Sequence, residues 1–311
     1  MNKKSAYKVY KTSKVNINIT SKTIKTGLPL RVFDVLGAGG FLITNYQSEL
    51  PSLFEINKDL VVYESMKDLV EWEMLPESVR KGLEACVNGR LNIIVSGGTG
   101  SGKTTFLNAL SEYISPKLSV ITIENPVEMQ LRHPNVRRWE ARPANIEGTG
   151  EIDMMSLVIT ALRSRPDIII VGEVRGREAY AMMQAMNTGH LGSMTTLHAN
   201  NTAQAMERLV AMVASAQELP KELVPGYISE TVDLVIHLMR MADSKRRLVE
   251  ISEVMGEKGG KILTNPLIEY RVDSFKDGKI TGHWKTVSSF TRIEILKDRG
   301  VIFPGFVDGG D

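Results

Sequence analysis

The sequence has one cysteine, no long hydrophobic run and almost no net charge. Cys86 is the one cysteine in 311 residues, which excludes an internal disulfide framework and a cysteine-rich zinc site and fits a reducing, cytoplasmic setting. The longest apolar runs, such as residues 168–171, are the size of a strand, whereas a membrane-spanning helix needs about 20 apolar residues. The 38 basic and 36 acidic residues nearly cancel, so the net charge gives no general attraction for nucleic acid or anionic lipid. The basic N-terminus lacks the apolar segment of a secretory signal.

The composition is that of an ordinary globular protein, and the length predicts about two domains. Residues 1–73 begin with a lysine-rich stretch and predict a small α/β segment. From 74 to 225, apolar strands and helices alternate, which is typical of an open α/β sheet with helices on both faces. Residues 226–300 predict a β-rich extension that contains a hairpin at the Asp-Gly pair 277–278. Residues 301–311 have the pattern of a tail.

Within these ranges, apolar periodicity and the positions of proline and glycine predict individual elements. The predicted helices are 76–90, 103–114, 154–163, 177–187 and 203–216. The predicted strands are 15–19, 41–44, 91–96, 120–124, 168–171 and 193–197, followed by paired strands at 232–241, 247–255, 267–272 and 282–287. Three methionines at helical spacing, Met182, Met183 and Met186, indicate a core or subunit-packing surface.

Residues 97–104 match the phosphate-binding pattern G-x-x-x-x-G-K-[ST] in full, with an apolar strand before them and a helix after them. Glycines allow the backbone to curl so that successive N–H groups point at phosphate. We expect Lys103 to meet the β- and γ-phosphates of a nucleotide and the Thr104 hydroxyl to hold Mg²⁺. The alternative is a glycine-rich turn that binds nothing. The candidate nucleotide-binding residues are Gly97, Gly98, Thr99, Gly100, Ser101, Gly102, Lys103, Thr104 and Thr105.

Acidic residues follow two of the predicted strands. Glu124 ends one strand and is followed by Glu128, and Glu173 follows the other. Since ligands of open α/β sheets gather at the carboxyl ends of strands, we expect these carboxylates near the phosphates. One could orient or deprotonate the attacking water, and another could hold Mg²⁺ through water. The alternative is that they are solvated strand-end acids.

Four segments in this order, SGGTGSGKTTFLNAL, ARPANIEGTGEI, ALRSRPDIIIVGEVRGREAYAMMQAMNTGH and GSMTTLHANN, closely resemble the secretion ATPases of the type II/type IV secretion superfamily, and most of all the tight-adherence (Flp) pilus branch. The resemblance covers about residues 74–311. It implies a RecA-like P-loop fold and a hexameric ring that uses ATP and Mg²⁺ at the cytoplasmic face of the inner membrane. It also implies inner-membrane platform proteins as partners. From the near-neutral charge and the short apolar runs we expect neither nucleic-acid binding nor membrane insertion.

The resemblance also assigns roles to particular residues. It implies that Glu173 is the Walker B glutamate and general base, and that Glu124 and Glu128 belong to the Asp box, where Asn125 replaces a commonly acidic residue. Glu124 is then catalytic and also a ligand of Mg²⁺ through water. His198 is the His-box residue that senses the γ-phosphate. On its position alone, His198 follows a strand end and could bind a phosphate oxygen, while a purely structural histidine is the alternative.

Arginines are candidates to stabilise charge on the γ-phosphate, either within the chain or from a neighbouring subunit. Arg163 and Arg175 are the main candidates, and Arg137, Arg138, Arg142 and Arg165 are further ones. For each of them, a solvated surface charge is the alternative.

Residues 15–71 do not resemble the N-terminal domain that secretion ATPases normally carry. They are similar to the C-terminal part of bacterial GT-B-type glycosyltransferases, which implies Arg31, residues 37–40 and Glu49 as nucleotide-sugar ligands. Because the two-domain cleft of such an enzyme cannot form from one fragment, we expect no glycosyl transfer. We expect a fusion or a mis-joined reading frame with its seam near residues 71–75. A divergent native N-terminal domain is the alternative.

The sequence therefore predicts a ring-forming motor that hydrolyses ATP and powers pilus assembly or protein secretion. The alternative is a nucleotide-binding assembly protein with weak or no turnover, because a missing N-terminal domain would impair ring closure. A nucleic-acid motor is disfavoured by the near-neutral charge and by the lack of a basic, aromatic-rich patch.

Overall fold

The computed structural model describes residues 16–18, 35–36, 42–45, 61–63, 65–216 and 218–306. The chain forms two compact units, residues 1–69 and 70–311. In the first unit, strands β1 (Asn16–Asn18), β2 (Leu42–Asn45) and β3 (Val61–Tyr63) form a parallel sheet in the order β1-β2-β3. Two of these strands fall where alternating and apolar residues predicted them. The glycosyltransferase-like candidates Arg31, residues 37–40 and Glu49 lie outside the described residues.

Nine strands of the second unit form one sheet in the order β12-β11-β10-β9-β4-β8-β7-β5-β6. Strands β9, β4, β8, β7, β5 and β6 are parallel, whereas β10, β11 and β12 join them as antiparallel strands. Their bounds are β4 (Ile93–Gly97), β5 (Val120–Glu124), β6 (Val136–Glu140), β7 (Ile168–Val171), β8 (Met194–Leu197), β9 (Leu234–Arg240), β10 (Arg246–Lys258), β11 (Lys261–Lys276) and β12 (Lys279–Thr286).

The helices lie mainly between the parallel strands, as the alternating pattern predicted. They are α1 (Met66–Glu71), α2 (Glu77–Asn88), α3 (Lys103–Leu110), α4 (Met154–Arg163), α5 (Glu178–Asn187), α6 (Thr202–Ser215), α7 (Val224–Thr231) and α8 (Ile293–Asp298). Side-chain caps fix two of the starts: Asp153 Oδ1 accepts from Ser156 N (2.7 Å), and Asn201 Oδ1 accepts from Gln204 N (2.7 Å). In the part of the chain that the structure describes, no helix has the length and apolar character needed to cross a bilayer.

Every residue of β4, β5, β7 and β8 is buried, so helices cover both faces of this part of the sheet. On one face, Ile94, Ile121 and Ile169 pack with residues of α4 to α7. The three methionines 182, 183 and 186 are fully buried in this cluster, which agrees with their predicted place in the core. On the other face, α3 contacts β4 and β8 and packs beside α2. The predicted α/β sheet with helices on both faces is confirmed.

Several parts of the C-terminal half differ from the sequence predictions. β9 is parallel to β4 and pairs with it directly, so residues 74–225 and 226–300 share one continuous sheet. Strand β6 and helix α7 were not predicted. The predicted hairpin at 277–278 is confirmed, because β11 and β12 pair on either side of it, and both strands are longer than predicted. The predicted tail 301–311 is described up to Phe306, which is buried with its ring near those of Phe290 and Phe303; residues 307–311 lie outside the described residues.

Candidate nucleotide-binding site

The glycine-rich segment forms a tight loop between β4 and α3. β4 ends at Gly97 and α3 begins at Lys103. Gly100 and Gly102 have φ angles of 72° and 93°, which residues with a side chain rarely adopt, so the loop depends on glycine at these two positions. A Cβ atom added at Gly98 or Gly100 would meet nothing within 4 Å. Space therefore lies open beside the loop.

The start of α3 presents backbone donors at this loop. The first four N–H groups of an α-helix have no partner within the helix. In α3 the first such bond runs from Phe106 N to Gly102 O (2.8 Å), and the N–H groups of Lys103, Thr104 and Thr105 precede it. Together with the positive end of the helix dipole, these donors suit an anion such as phosphate.

Two buried side chains donate hydrogen bonds to backbone carbonyl groups of the loop. Ser101 is buried, and its Oγ donates to Gly98 O (2.9 Å). Lys103 is also buried, and its Nζ donates to Gly97 O (3.0 Å) and Gly98 O (3.1 Å). Burial lowers the pKa of Lys103, and the negative charge of Glu173 opposes that effect. The ammonium of Lys103 is thus held at the loop, beside the space that a phosphate would fill.

The carboxylates predicted at the strand ends converge on one cavity next to the loop. This cavity of about 300 Å³ is lined by Thr104 from α3, by Glu124 from β5, by Glu128 and by Glu173. Thr104 Oγ1 donates to Glu128 Oε2 (3.3 Å). The convergence follows from the parallel strand order, because β5 and β7 are neighbours and end at the same edge of the sheet.

Glu124 is the most buried of these carboxylates, and its two oxygens have different surroundings. Oε1 accepts hydrogen bonds from Glu128 N (3.0 Å) and Met129 N (2.9 Å), whereas Oε2 is buried without a hydrogen-bond partner. Burial raises the pKa of Glu124, and the two backbone hydrogen bonds partly oppose this rise. Gly172 lies against it, since a Cβ there would come within 2.9 Å of Glu124 Cγ.

Glu173 lies between two cationic or potentially cationic side chains. Its Oε2 is 2.6 Å from Arg175 Nη2, and its Oε1 is 3.0 Å from His198 Nε2. The bond to Glu173 raises the pKa of Arg175. His198 Nδ1 is in turn 3.3 Å from Lys103 Nζ. The four side chains form a continuous line from the phosphate-binding loop to Arg175.

His198 is favoured in its neutral form within this line. Burial lowers the pKa of its ring first, the Lys103 ammonium lowers it further, and Glu173 opposes both effects. A neutral ring can accept from Lys103 at Nδ1, while its Nε2 lies 3.0 Å from Glu173 Oε1 without the geometry of a hydrogen bond. A second pocket of about 280 Å³ adjoins this line and is lined by Thr99, Arg208 and Met212 as well as by Glu173, Arg175 and His198.

The two main candidate arginines lie in different places. Arg175 lines both pockets. Arg163 does not line either one; it is exposed at the last position of α4, whereas Met154 at the first position lines the larger cavity. At about 1.5 Å per residue, α4 separates its two ends by about 14 Å. Arg163 therefore does not line the site of its own chain, and a role toward a neighbouring subunit stays a prediction.

The further candidate arginines are held by backbone carbonyl groups elsewhere in the unit. Arg137 donates to Ser164 O (3.1 Å), Arg138 to Leu131 O (2.8 Å) and Arg142 to Gly150 O (2.8 Å). None of these three lines the two pockets. Arg165 is exposed just beyond α4. The folded chain thus brings one predicted arginine, Arg175, to the candidate site.

Two other arginines at the site were missed by the sequence analysis. Arg208 of α6 lines the smaller pocket. Arg246 starts β10, and its Nε donates to Gly100 O (2.9 Å) in the phosphate-binding loop. Arg246 is 146 residues away from its partner along the chain, so only the pairing of β9 with β4 brings them together. No motif in the sequence around Arg246 indicates that it lies at the phosphate-binding loop.

The residues present fit a magnesium nucleotide. Hydroxyl and carboxylate oxygens are the ligands that Mg²⁺ prefers, and the ion usually keeps several waters and binds phosphate oxygens as well. Thr104 Oγ1, Glu128 and the unpartnered Glu124 Oε2 lie around the same cavity. No group of three or more His, Cys, Asp or Glu side chains that could hold a metal alone occurs among the described residues. These side chains therefore suit a Mg²⁺ ion whose remaining ligands are water and the phosphates of a bound nucleotide.

Comparison with known proteins gives two family matches. The model of the family described as "Type II/IV secretion system protein" matches residues 53–277, and the model described as "Glycosyl transferase-like" matches residues 1–78. The second match agrees with the resemblance seen in residues 15–71. The two matches overlap at residues 53–78, a range that contains the expected seam.

Two relatives of this chain are conjugal transfer proteins. A putative conjugal transfer protein of Mycobacterium tuberculosis is 40% identical over 173 residues, which are 56% of this chain and 49% of that protein. The conjugal transfer protein TrbB of Rhizobium radiobacter is 32% identical over 212 residues, covering 67% of this chain and 62% of that protein. The chain thus spans about half to two thirds of the length of these relatives.

A solved structure shares the fold. The VirB11 ATPase of the Brucella suis type IV secretion system, in complex with sulphate, superimposes with a TM-score of 0.52 at 29% identity, covering 62% of this chain and 56% of that one. The similarity supports the RecA-like interpretation of the nine-stranded sheet.

Proposed function

Because the chain belongs to the type II/IV secretion system protein family, we propose that it is an ATPase that hydrolyses ATP with Mg²⁺ and powers a secretion or pilus machine. One observation carries the proposal. Thr104, Glu124, Glu128 and Glu173 meet in a single cavity beside a phosphate-binding loop whose lysine is held in place. A glycine-rich turn without a ligand has no need for four such groups at one point.

The proposed roles follow from the contacts. Lys103 and the N–H groups at the start of α3 bind the β- and γ-phosphates. Thr104 and Glu124, the latter through water, hold Mg²⁺, which neutralises charge on the phosphate chain when it is bound. Glu173 takes the proton of the attacking water. Its Oε1 has no hydrogen-bond partner among the described residues and can accept this proton, and Arg175, once released from Oε2, would be available for the charge that develops on the γ-phosphate.

His198 provides the link between the loop and the base. Lys103 and Glu173 lie on opposite sides of its ring. A γ-phosphate that draws Lys103 away from His198 changes the partner of Nδ1, and the ring can then reorient toward the phosphate oxygen. This supports the role as γ-phosphate sensor that the family resemblance implies.

The assembly is proposed to be a hexameric ring at the cytoplasmic face of the inner membrane, in contact with platform proteins of the machine. The resemblance to the tight-adherence pilus branch makes Flp pilus assembly the first candidate process. Relatives named for conjugal transfer and type IV secretion support a conjugative or secretion apparatus as the second. Complementation of a strain lacking its Flp ATPase, and separately of one lacking its VirB11 protein, would distinguish these candidates.

The function is tested by Mg²⁺-dependent ATP hydrolysis of the full chain. Lys103→Ala should lose both binding and hydrolysis, whereas Glu173→Gln should keep ATP binding and lower kcat by at least about a hundredfold. Glu230→Gln removes an exposed carboxylate of α7 and is the matched control that should keep the wild-type rate. If Glu173→Gln hydrolyses at the wild-type rate, the base assignment is wrong.

A nucleotide-binding assembly protein with weak or no turnover remains the second candidate function. It predicts that the wild-type chain binds ATP with the affinity of an ATPase but hydrolyses it no faster than Glu173→Gln. The comparison of these two proteins in the same assay decides between the candidates.

A further inference from the structure

The turn between β9 and β10 projects past the phosphate-binding loop. In the parallel pair of β4 and β9, Gly97 is level with Leu238. β9 continues to Arg240, which at about 3.3 Å per residue lies about 7 Å further on. Arg240 pairs with Arg246 at the start of β10. The C-terminal part of the sheet therefore places Arg246 next to the loop, with Arg240 as its strand partner.

Arg246 lies across the loop at its two strained glycines. Its Nε donates to Gly100 O (2.9 Å), and its Cδ lies 3.1 Å from where a Cβ of Gly102 would be. An arginine carries several N–H donors on Nε, Nη1 and Nη2. Within the described part of the chain, only Nε of Arg246 has a hydrogen-bond partner. The remaining donors of the guanidinium have no partner among the described residues.

The neighbouring residue, Arg247, differs from Arg246 in having a carboxylate partner, as expected of an arginine with a structural role. Adjacent residues of a strand point to opposite faces. Arg247 is buried, and its Nη1 and Nη2 pair with Asp243 (3.0 and 2.9 Å) below the ring of Tyr270. No carboxylate among the described residues pairs with Arg246. Its half-buried charge is therefore not compensated by any carboxylate in the part of the chain that the structure describes.

The surroundings of Arg246 disfavour an isolated cation. Burial and the charge of Arg240 both lower its pKa. An arginine stays charged in proteins regardless, so an anion at this position would remove an unfavourable interaction. The phosphate chain of a nucleotide is the anion that the adjacent loop is built to bind.

We propose that Arg246 is a nucleotide-binding residue, which contacts the phosphate chain with its Nη donors while Nε fixes the loop at Gly100. The inference rests on the proposed function, because it requires a phosphate in the loop. It makes the β9–β10 turn part of the binding site. Affinity for nucleotide then depends on a segment remote in sequence from the motifs that mark the ATPase.

The test measures ADP binding to the full chain by calorimetry, using Arg246→Gln, Arg246→Lys and the control Arg271→Gln, which removes an exposed arginine of β11. A charge-assisted hydrogen bond is worth enough that Arg246→Gln should weaken ADP binding roughly tenfold or more. Arg246→Lys keeps the charge and should remain within about threefold of the wild type. Arg271→Gln should bind like the wild type.

The steady-state kinetics give an independent readout. For Arg246→Gln we expect the KM for ATP to rise with the ADP dissociation constant while kcat stays within about twofold, and the melting temperature to match that of the wild type. ADP binding by Arg246→Gln within twofold of the wild type would overturn the inference. Equal losses of ADP affinity in Arg246→Gln and Arg246→Lys would also overturn it. They would indicate that Arg246 supports the structure of the loop and that its charge does not contact the phosphate.

These outcomes are separate from those that test the function. A wild-type chain that binds ADP but does not hydrolyse ATP overturns the proposed function and leaves the Arg246 comparison valid. A wild-type chain that hydrolyses ATP while all Arg246 variants bind ADP normally overturns the inference alone. Absence of ADP binding by the wild type would overturn both.

Discussion

Glu124 combines a strongly stabilised oxygen with an unsatisfied one in the same carboxylate. Two backbone N–H groups hold Oε1 in place, while Oε2 is buried without a partner at the edge of the cavity. Buried polar atoms without partners are uncommon in proteins and often mark a site for water or an ion. The carboxylate is therefore oriented for a ligand at a cost in stability, which suits a magnesium-binding role.

The substitution Glu124→Gln should separate the cost of this carboxylate in folding stability from its contribution to catalysis. Burial raises the pKa of Glu124 in the folded protein, so the charged form is penalised on folding and stability falls as the pH rises through the folded-state pKa. At pH 7 the neutral glutamine avoids this penalty, and its amide oxygen can accept both backbone bonds. We expect the free energy of unfolding in urea to increase, while kcat falls at least tenfold, or about 1.4 kcal/mol of transition-state stabilisation.

The control for this variant is again Glu230→Gln, which should change neither quantity. Half-saturation of the ATPase by Mg²⁺ should move to higher concentration in Glu124→Gln. An unchanged magnesium dependence together with full activity would show that Glu124 does not serve the ion.

The titration of His198 provides a second test at the residue scale. Burial and Lys103 lower its pKa, and Glu173 raises it. In NMR titrations of the ring protons, the pKa should lie below 6.5, should rise in Lys103→Met and should fall further in Glu173→Gln. Because the folded-state pKa is below the unfolded value, His198 contributes stability that is complete above about pH 6.5 and is lost as the pH falls through the folded-state pKa.

The assignment of the His198 signal comes from its absence in His198→Gln. Shifts of the same sign in Lys103→Met and Glu173→Gln would contradict the arrangement of the ring between an ammonium and a carboxylate.

At the scale of elements, the sequence predicts the parallel core well and its edges poorly. β5, α4 and β7 have the predicted bounds because each is a continuous apolar or amphipathic run flanked by clear breaks. β6 was missed because it is a sheet edge rich in exposed arginine and glutamate, which removes the apolar alternation. α7 was missed because its Pro225 and Gly226 look like a break, although proline is favoured in a first helical turn.

The candidate site shows the same division. The phosphate-binding loop, Glu124, Glu173 and His198 could be proposed from the sequence because each ends or follows an apolar strand, where a parallel sheet gathers its ligands. The structure places them near one another, and their roles stay predictions. Arg246 could not be found in this way, since its position depends on β9 lying parallel to β4. Sequence periodicity predicted a strand there but not its neighbour in the sheet.

The β9–β10 turn should depend on the buried pair of Asp243 and Arg247. Both side chains are 3% exposed, and Asp243 also accepts from Lys245 N and Ile280 N. Asp243→Ala leaves a buried guanidinium without its carboxylate, which we expect to lower the free energy of unfolding by about 3 kcal/mol or more. Arg247→Met replaces the cation by an apolar side chain of similar length and leaves Asp243 with its two backbone donors, so the loss should be smaller.

Chemical denaturation of both variants measures this difference. Asp273→Ala, which removes a half-exposed carboxylate on β11, is the control and should stay within about 0.5 kcal/mol of the wild type. Equal stability of Asp243→Ala and the wild type would show that the pair does not support the turn.

At the scale of the whole chain, two family matches overlap over residues 53–78, and the division into compact units falls at residue 69. We therefore maintain the proposal of a fusion or mis-joined reading frame with its seam near residues 71–75. A contiguous genomic read across this region tests it directly. A frame that continues without a seam in independent isolates would make the fusion a natural protein.

Ring formation is the prediction that depends on the complete chain. We expect light scattering on the full chain to give six copies of the 34.5 kDa protein when ATP and Mg²⁺ are added to Glu173→Gln. The reason is that this variant binds ATP without turning it over.

A shortened chain tests the part played by the first unit. A version that starts at residue 74 retains the phosphate-binding loop and all the carboxylates of the cavity. If the first unit blocks assembly, this version should form the ring more readily and hydrolyse ATP faster than the full chain. If it contributes the subunit contacts, the shortened version should stay monomeric. Lys103→Ala in both lengths controls for assembly that does not depend on nucleotide. A persistent monomer in every case, with ATP bound, would contradict the ring motor and favour the assembly protein without turnover.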